Sequence, residues 1–176
     1  AAAQRLSSLG GDECKKVPLG ILIEVPSILY VLDSVAPLVD FFSIGSNDLT
    51  QYLLAVDRNN PRVNRWYSHY NPAVVRAIHE LIQTIKTCDK PLSLCGDLGG
   101  DPRMAMLLIG MELDTLSVVS GDLPRIKLLI RHVSKTRCKD LLKQCLKMQS
   151  GAEIKDLLEQ EIRHISLEKL IGIEGK

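Results

Sequence analysis

Two carboxylates follow apolar segments of this chain and are the first candidates for chemistry. Glu24 interrupts the apolar run that begins at Leu19, and Asp48 comes three residues after Gly45, where the next apolar run ends. Carboxylates at neighbouring strand ends could form part of the oxygen shell of Mg²⁺, which usually takes only one or two protein carboxylates. They could equally be buried acids, each held by a lysine, an arginine or backbone donors. Burial of Glu24 without a cation would be costly, which favours the metal.

The segment SIGSNDLTQY, residues 43–52, has the composition of an anion site. Gly45 permits a tight turn after the apolar run, and Ser46, Asn47 and Asp48 then open a helix. Free N–H groups at a helix N-terminus favour phosphate. Serine, asparagine and aspartate are also the usual N-capping residues, so plain capping explains the same pattern.

Two further side chains could serve such a site. Arg58, in AVDRNNP, could reach back to a phosphate or carboxylate with two parallel N–H bonds, or it could be a surface arginine paired with Asp57. Cys95, in SLCGDLGGD, stands at another strand end. A thiol there could act as a nucleophile or proton donor, or it could be a small core residue, as most cysteines are.

The elements that must position these side chains alternate between strand and helix, which predicts an α/β fold with a parallel sheet. Strands are predicted over residues 19–25, 39–45, 91–96 and 115–120, and helices over 27–38, 47–56, 72–87 and 124–133. The strands are apolar along most of their length, as is typical of parallel strands buried on both faces. Their carboxyl ends would gather the candidate side chains at one mouth.

Helical patterns also occupy the C-terminal part of the chain. The pair Asp101-Pro102 predicts another helix start, and two amphipathic patterns over 138–148 and 152–165 follow the last strand. The first of these carries an apolar stripe that we interpret as core packing. Residues 1–16 have the pattern of a helix end followed by a Gly-Gly loop, so we expect the chain to be a piece of a longer one.

Composition excludes several classes of protein. A net charge of +1 and an aromatic content of 4% disfavour a nucleic-acid partner. No signal peptide and no apolar run of membrane-spanning length is present, so we expect no membrane partner. Five cysteines without metal-site spacing indicate reduced thiols and a cytoplasmic protein.

Five motifs in one order resemble the phosphoenolpyruvate (PEP)-utilising enzymes. They are IEVPS at 23–27, VDFFSIGSNDLTQYLLAVDRNNP at 39–61, NPAVVRAI at 71–78, LCGDLGGDP at 94–102 and LPRIK at 123–127. The family includes enzyme I of the bacterial sugar phosphotransferase system, PEP synthase and pyruvate phosphate dikinase. FFSIGSNDLTQ is a highly specific signature of this group. The AVDRNNP segment and residues 62–78 look most like the nitrogen-related enzyme I, a PEP–protein phosphotransferase.

The resemblance implies a particular fold. It corresponds to the C-terminal half, strands five to eight, of a PEP-binding TIM (β/α)₈ barrel over residues 1–135, with residues 136–176 as a C-terminal helical extension of the same domain. A chain of 176 residues is shorter than the roughly 200 to 250 residues of a complete barrel. Half a barrel has two open sheet edges and an exposed interior, so we expect a homo-oligomer, most simply a dimer.

The resemblance also assigns roles to the candidate side chains. Glu24 and Asp48 match the ligands of a Mg²⁺ cofactor. Asn47, Asp48 and Arg58 match substrate-binding positions, Asn47 and Arg58 at the PEP phosphate. Cys95 matches the acid that protonates enolpyruvate to give pyruvate. Asp97 stands where the family usually has glutamate. Its side chain is shorter, so its carboxylate reaches less far towards the thiol.

The implied function is that of the C-terminal part of a PEP–protein phosphotransferase. Such an enzyme transfers phosphate from PEP to its own histidine and on to an HPr-like phosphocarrier protein, and releases pyruvate. The histidine belongs to N-terminal domains absent from these 176 residues, so we expect this piece alone to be inactive. The alternatives are the C-terminal domain of a PEP synthase or pyruvate phosphate dikinase, and a non-catalytic dimerisation or regulatory half-barrel.

Overall fold

The computed structural model describes residues 17–172, which form four strands and a larger set of helices. The strands are β1 (Gly20–Ile23), β2 (Phe41–Gly45), β3 (Leu92–Cys95) and β4 (Thr115–Leu116). The α-helices are α1 (Leu32–Val35), α2 (Ser46–Leu54), α3 (Pro72–Thr87), α4 (Asp97–Gly100), α5 (Pro102–Gly110), α6 (Leu123–His132), α7 (Lys135–Cys145) and α8 (Gly151–His164). Short 3₁₀ helices occupy Pro26–Tyr30, Ala36–Leu38, Asn64–Trp66 and Glu168–Ile171. The helix end and Gly-Gly loop predicted before residue 17 lie outside the described residues.

The four strands form one parallel sheet in the order β1-β2-β3-β4. Each pair of neighbouring strands is joined by a connection that contains helix, as parallel pairing requires. The predicted α/β fold with a parallel sheet is therefore confirmed. Within the described residues the sheet is open at β1 and at β4, and closure into a barrel stays a prediction.

The two faces of the described sheet differ, as expected for half a barrel with an exposed interior and unlike strands that are buried on both faces. One face packs against the helices, and five of its side chains are at most 2% exposed, namely Ile23, Phe42, Ile44, Leu92 and Leu94. On the other face, called here the open face, Leu22 is 50% exposed and lies in register with Ser43 and Ser93. In a closed barrel such a face is covered only by the remaining strands.

The helix predicted over residues 27–38 is broken into three short turns. Val31 separates the first 3₁₀ helix from α1, and its φ of −130° lies outside the helical region. Pro37 lies in the second 3₁₀ helix and has no N–H to donate. β-branched residues and a proline therefore prevent a continuous helix here.

Local signals at helix starts were reliable elsewhere. The Asn71 side chain accepts the N–H of Ala73, and α3 begins at Pro72 as predicted. The Asp101 side chain accepts the N–H of Arg103 at the start of α5. These helices place an apolar face against the covered side of the sheet.

The two C-terminal helices belong to the same hydrophobic core as the sheet. The predicted stripe of α7 is buried, with Cys138, Leu141, Leu142 and Cys145 at most 5% exposed. Burial raises the pKa of both thiols to about 11, as expected for unreactive core cysteines. None of the helices that the structure describes is long and apolar enough to cross a bilayer.

Candidate functional site

The carboxyl edge of the sheet holds the predicted carboxylate and thiol on one face. Strands β2 and β3 pair Gly45 with Cys95, and Glu24 comes one residue after the Ile23–Ile44 pair. Because side chains alternate along a strand, Glu24 and Cys95 lie on the open face. A Cβ at Gly45 would lie 2.8 Å from Glu24 Cγ and 3.1 Å from its Oε1, so glycine lets this carboxylate lie across the end of β2.

The polar residues at the start of α2 do not cap that helix. Gly45 is its N-cap, and within residues 17–172 the helix has no side-chain cap. The buried Ser46 Oγ donates instead to the Cys95 carbonyl at 2.8 Å. Asn47 Oδ1 accepts the N–H of Asp97 at 2.9 Å. The capping interpretation therefore does not describe this helix, whose side chains tie it to the β3–α4 turn.

Gly96 makes this close approach possible. Its φ of +106° is a conformation that L-residues with a side chain rarely adopt. A Cβ there would lie 2.4 Å from Ser46 Oγ and 2.9 Å from Asn47 Oδ1. The half-buried Cys95 thus lines a pocket of about 280 Å³ whose other walls include Ser117 and Val119 beyond β4.

Arg58 reaches back to α2 rather than pairing with its neighbour Asp57. Its Nη2 lies 3.6 Å from Asp48 Oδ1, and its backbone N–H donates to Gln51 Oε1 at 3.1 Å. The Asp57 carboxylate accepts the N–H of Asn59. The Arg58 Nη1 atom is buried and has no hydrogen-bond partner among the described residues.

Sequence reasoning missed two residues beside Arg58. The Tyr67 hydroxyl donates to the Asn47 carbonyl at 3.1 Å. His69 Nδ1 is hydrogen-bonded to Thr50 Oγ1 in α2 at 3.2 Å, and burial lowers the pKa of this imidazole. His69 is thus a half-buried residue tied to α2 and not a surface residue. The aromatic and polar run WYSHY, residues 66–70, was the only available signal.

The oxygen ligands at this edge are compatible with Mg²⁺. Among residues 17–172, no three His, Cys, Asp or Glu side chains form a metal-binding group. Two carboxylates could supply hard oxygen ligands. Glu24 lies in the space that a Cβ of Gly45 would fill, and Asp48 lies in the first turn of α2. Two carboxylates suffice for Mg²⁺, because water and substrate oxygens complete its octahedron.

Comparison with known proteins decides the family. The family model of the PEP-utilising enzyme, PEP-binding domain, matches residues 1–135. This chain belongs to the PEP-utilising enzymes. The predicted family is thereby confirmed, and the match ends where α7 begins.

Curated relatives in this family are considerably longer proteins. The chain is 40% identical to multiphosphoryl transfer protein 1 of Escherichia coli over 166 residues, which cover 94% of this chain and 20% of that protein. It is 41% identical to the phosphoenolpyruvate-protein phosphotransferase of Buchnera aphidicola over 150 residues, 85% of this chain and 26% of that protein. The chain thus spans only about a fifth to a quarter of these relatives' length.

Proposed function

We propose that this chain is the PEP-binding part of a PEP–protein phosphotransferase. The observation that supports this most directly is the arrangement at the carboxyl edge. There the α2 N-terminus, with no side-chain cap, lies beside Arg58, and Cys95 lies on the adjoining strand. The site therefore combines anion donors with a thiol at the end of the same open face.

The phosphate of PEP would bind between Arg58 and the start of α2. The unpartnered Nη1 of Arg58 is a charged donor that an oxyanion would satisfy. The N–H groups of the first turn of α2 carry partial positive charge, and no side-chain cap from the described part of the chain competes for them. Asn47 is held beside this site by its bond to the Asp97 N–H.

Glu24 and Asp48 would hold Mg²⁺. When bound, the ion would neutralise charge on the phosphate and on the enolate oxygen of the substrate. Arg58 Nη2 lies 3.6 Å from the Asp48 carboxylate. The guanidinium would supply a second positive charge to the phosphate. Asp48 would therefore orient the arginine as well as the substrate.

Cys95 would act as the general acid. After the phosphoryl group leaves PEP, the enolate needs one proton on its methylene carbon to become pyruvate. The Cys95 S–H would supply this proton, and the thiolate would be reprotonated from water. Cys95 lies at the pocket wall, whereas Cys138 and Cys145 are buried in the core.

The whole protein would pass the phosphoryl group from PEP to a histidine of its N-terminal domains and then to an HPr-like phosphocarrier protein. Two relatives are named for phosphoryl transfer, which supports this class over the PEP synthases and dikinases. We place the protein in the cytoplasm and leave the sugar and nitrogen branches as alternatives. Residues 1–135 would be the partial barrel, and residues 136–176 its helical extension.

Calorimetric titration of this chain with PEP in MgCl₂ tests the site. Arg58→Ala should weaken binding about 10- to 100-fold, the value of a hydrogen bond to a charged group. The matched control is Arg62→Ala, because Arg62 is exposed in the same loop. Equal affinities for the two variants would contradict the proposed phosphate site. Isolated chain that became labelled by radioactive PEP in a single turnover would contradict the expected inactivity of this piece.

A non-catalytic dimerisation half-barrel is the second candidate, and the open face favours it. Strands β1 and β4 are edge strands of the described sheet, and Leu19 and Leu22 at the β1 side are 62% and 50% exposed. Unpaired edges and exposed apolar side chains promote association. We propose self-association through these edges. Light scattering that showed only a monomer across the micromolar range would exclude it.

A further inference from the structure

Arg58 lies on a loop that has little regular structure of its own. The loop joins α2 to α3 and contains a single 3₁₀ turn, Asn64–Trp66. Most of its residues between 57 and 66 are exposed. An arginine side chain has many rotamers, and fixing them costs about 2 kcal/mol of conformational free energy. Some contact must therefore hold the guanidinium before a ligand arrives, or the ligand must bear this cost.

The Tyr67 hydroxyl is placed to make that contact. It donates its one proton to the Asn47 carbonyl at 3.1 Å. Its oxygen keeps lone pairs that can accept a bond from the Arg58 guanidinium. The electrostatics agree, because burial raises the pKa of Tyr67 whereas a hydrogen bond from Arg58 opposes this rise. Tyr67 and Arg58 therefore reach the first turn of α2 at adjacent residues, Tyr67 at Asn47 and Arg58 at Asp48.

The Tyr67 ring is itself held in place by its neighbours. The imidazole of His69 meets it edge-on, with 5.1 Å between ring centroids and an interplanar angle of 74°. His69 is in turn bonded to Thr50, which is fully buried in α2. The phenol is therefore supported from the rigid helix and not from the exposed part of the loop.

We propose that Tyr67 is a positioning residue that holds the Arg58 guanidinium and the Asn47 peptide in the geometry that binds phosphate. This inference rests on the proposed function, since it concerns the same anion site. Tyr67 acts through Arg58 and Asn47 and does not itself contact the substrate. It explains why a loop arginine lies against α2 although its pairing distance to Asp48 is long.

The test is Tyr67→Phe in the 176-residue chain, with two measurements. Heteronuclear NOE of the Arg58 Nε–Hε group reports whether the guanidinium is ordered. Calorimetric titration with PEP in MgCl₂ reports the affinity. We expect the NOE of Arg58 to fall and the Kd for PEP to rise about five- to tenfold, less than for loss of Arg58 itself.

Two tyrosine variants are matched controls. Tyr70→Phe removes a hydroxyl that donates to Asp101, so it should lower stability and leave the Arg58 signal unchanged. Tyr52→Phe alters a ring that is 56% exposed and should change neither measurement. A general loss of stability is thus separated from the specific release of Arg58.

The outcomes distinguish the inference from the proposed function. An Arg58 NOE that is unchanged in Tyr67→Phe overturns the positioning role, whatever the Kd for PEP. A lower NOE with an unchanged Kd for PEP also overturns it, since the order of Arg58 would then have no effect on binding. If the unaltered chain binds no PEP, the proposed site fails, and the NOE alone decides whether Tyr67 orders Arg58.

Discussion

Two aspartate–arginine pairs at the start of two helices serve different purposes in this molecule. In the first, Arg103 Nε lies 2.9 Å from Asp101 Oδ1 and its Nη1 lies 2.7 Å from Glu159 Oε1, with the side chains of Asp101 and Arg103 about 20% exposed. In the second, Arg58 Nη2 lies 3.6 Å from Asp48 Oδ1, and both side chains are more than 30% exposed. The residue types are the same, but only the first pair has its hydrogen-bonding capacity filled.

The difference extends to the helices themselves. Asp101 caps α5 and also accepts a hydrogen bond from the Tyr70 hydroxyl, while Arg103 stacks over the Tyr70 ring at 5.5 Å. The start of α2 has no side-chain cap, and Arg58 keeps a buried Nη1 without a partner in the part of the chain described. A saturated pair stabilises the fold, whereas an unsaturated pair retains donors for a ligand.

The largest effect on stability should come from breaking the saturated pair. Asp101→Ala removes a helix cap and leaves Arg103 and Tyr70 without their shared acceptor, which should cost about 2–4 kcal/mol. Urea denaturation measures this loss. The affinity of the folded variant for PEP in MgCl₂ should stay within about threefold of the unaltered chain, since the site does not use this carboxylate. A loss below about 0.5 kcal/mol would show that the pair is not structural.

The corresponding change in the unsaturated pair should affect binding and spare stability. Asp48→Asn keeps the shape of the side chain and removes a half-exposed charge. The free energy of unfolding should therefore change by less than about 1 kcal/mol. Binding of PEP should weaken at least about tenfold, and added MgCl₂ should no longer strengthen it. Asp57→Asn, in the exposed loop nearby, is the control and should bind normally. A Mg²⁺ response retained in Asp48→Asn would contradict the assigned ligand.

Helix-opening serines extend the comparison with smaller effects. Ser150 caps α8 in a capping box, so Ser150→Ala should cost about 1 kcal/mol of stability and leave PEP binding unchanged. Ser46→Ala removes the bond to the Cys95 carbonyl and should cost a similar amount, about 1 kcal/mol. Only Ser46→Ala should also weaken PEP binding, because it removes one of the two hydrogen bonds that hold α2 to β3 and the following turn. Thermal unfolding and calorimetry of both variants provide the comparison.

The smallest effect concerns pH. Burial lowers the pKa of His69, and this outweighs the opposing effect of Asp97 and Asp101. The unfolded chain therefore binds a proton more readily, so stability is full above about pH 6.5 and falls as the pH drops towards the folded pKa. Burial lowers the pKa of His79 in the same way. Urea denaturation between pH 7.5 and 5.5 should show this decline, and His69→Gln should reduce it; an unchanged slope would contradict the account.

Much of the fold could be predicted because its signals are local. The Asn-Pro and Asp-Pro pairs mark the starts of α3 and α5, and both helices begin at the proline. The failures arose where local pattern competes with context. Residues 27–38 had a helical pattern of apolar residues, but Val31 and Pro37 divide the segment into separate turns.

The candidate site was predictable as a set of residue types and not as a set of contacts. Glu24, Asn47, Asp48, Arg58 and Cys95 were all chosen from the sequence. The parallel register brings the ends of β1, β2 and β3, beside which all but Arg58 lie, to one edge. Tyr67 and His69 were not chosen, since a tyrosine and a histidine in an irregular loop carry no periodicity. Their importance arises from bonds to α2, some twenty residues earlier in the chain.

Sequence alone determined the family, the α/β class and the residue types available at the strand ends, because each is written in contiguous motifs and in apolar periodicity. Only the tertiary structure decided which aspartate Arg58 approaches, and that Ser46 and Asn47 bind the neighbouring turn instead of capping α2. The physical reason is that hydrogen bonding and burial depend on distances through space. Those distances are set by the path of the loops and the packing of the helices, and no short segment of the chain specifies them.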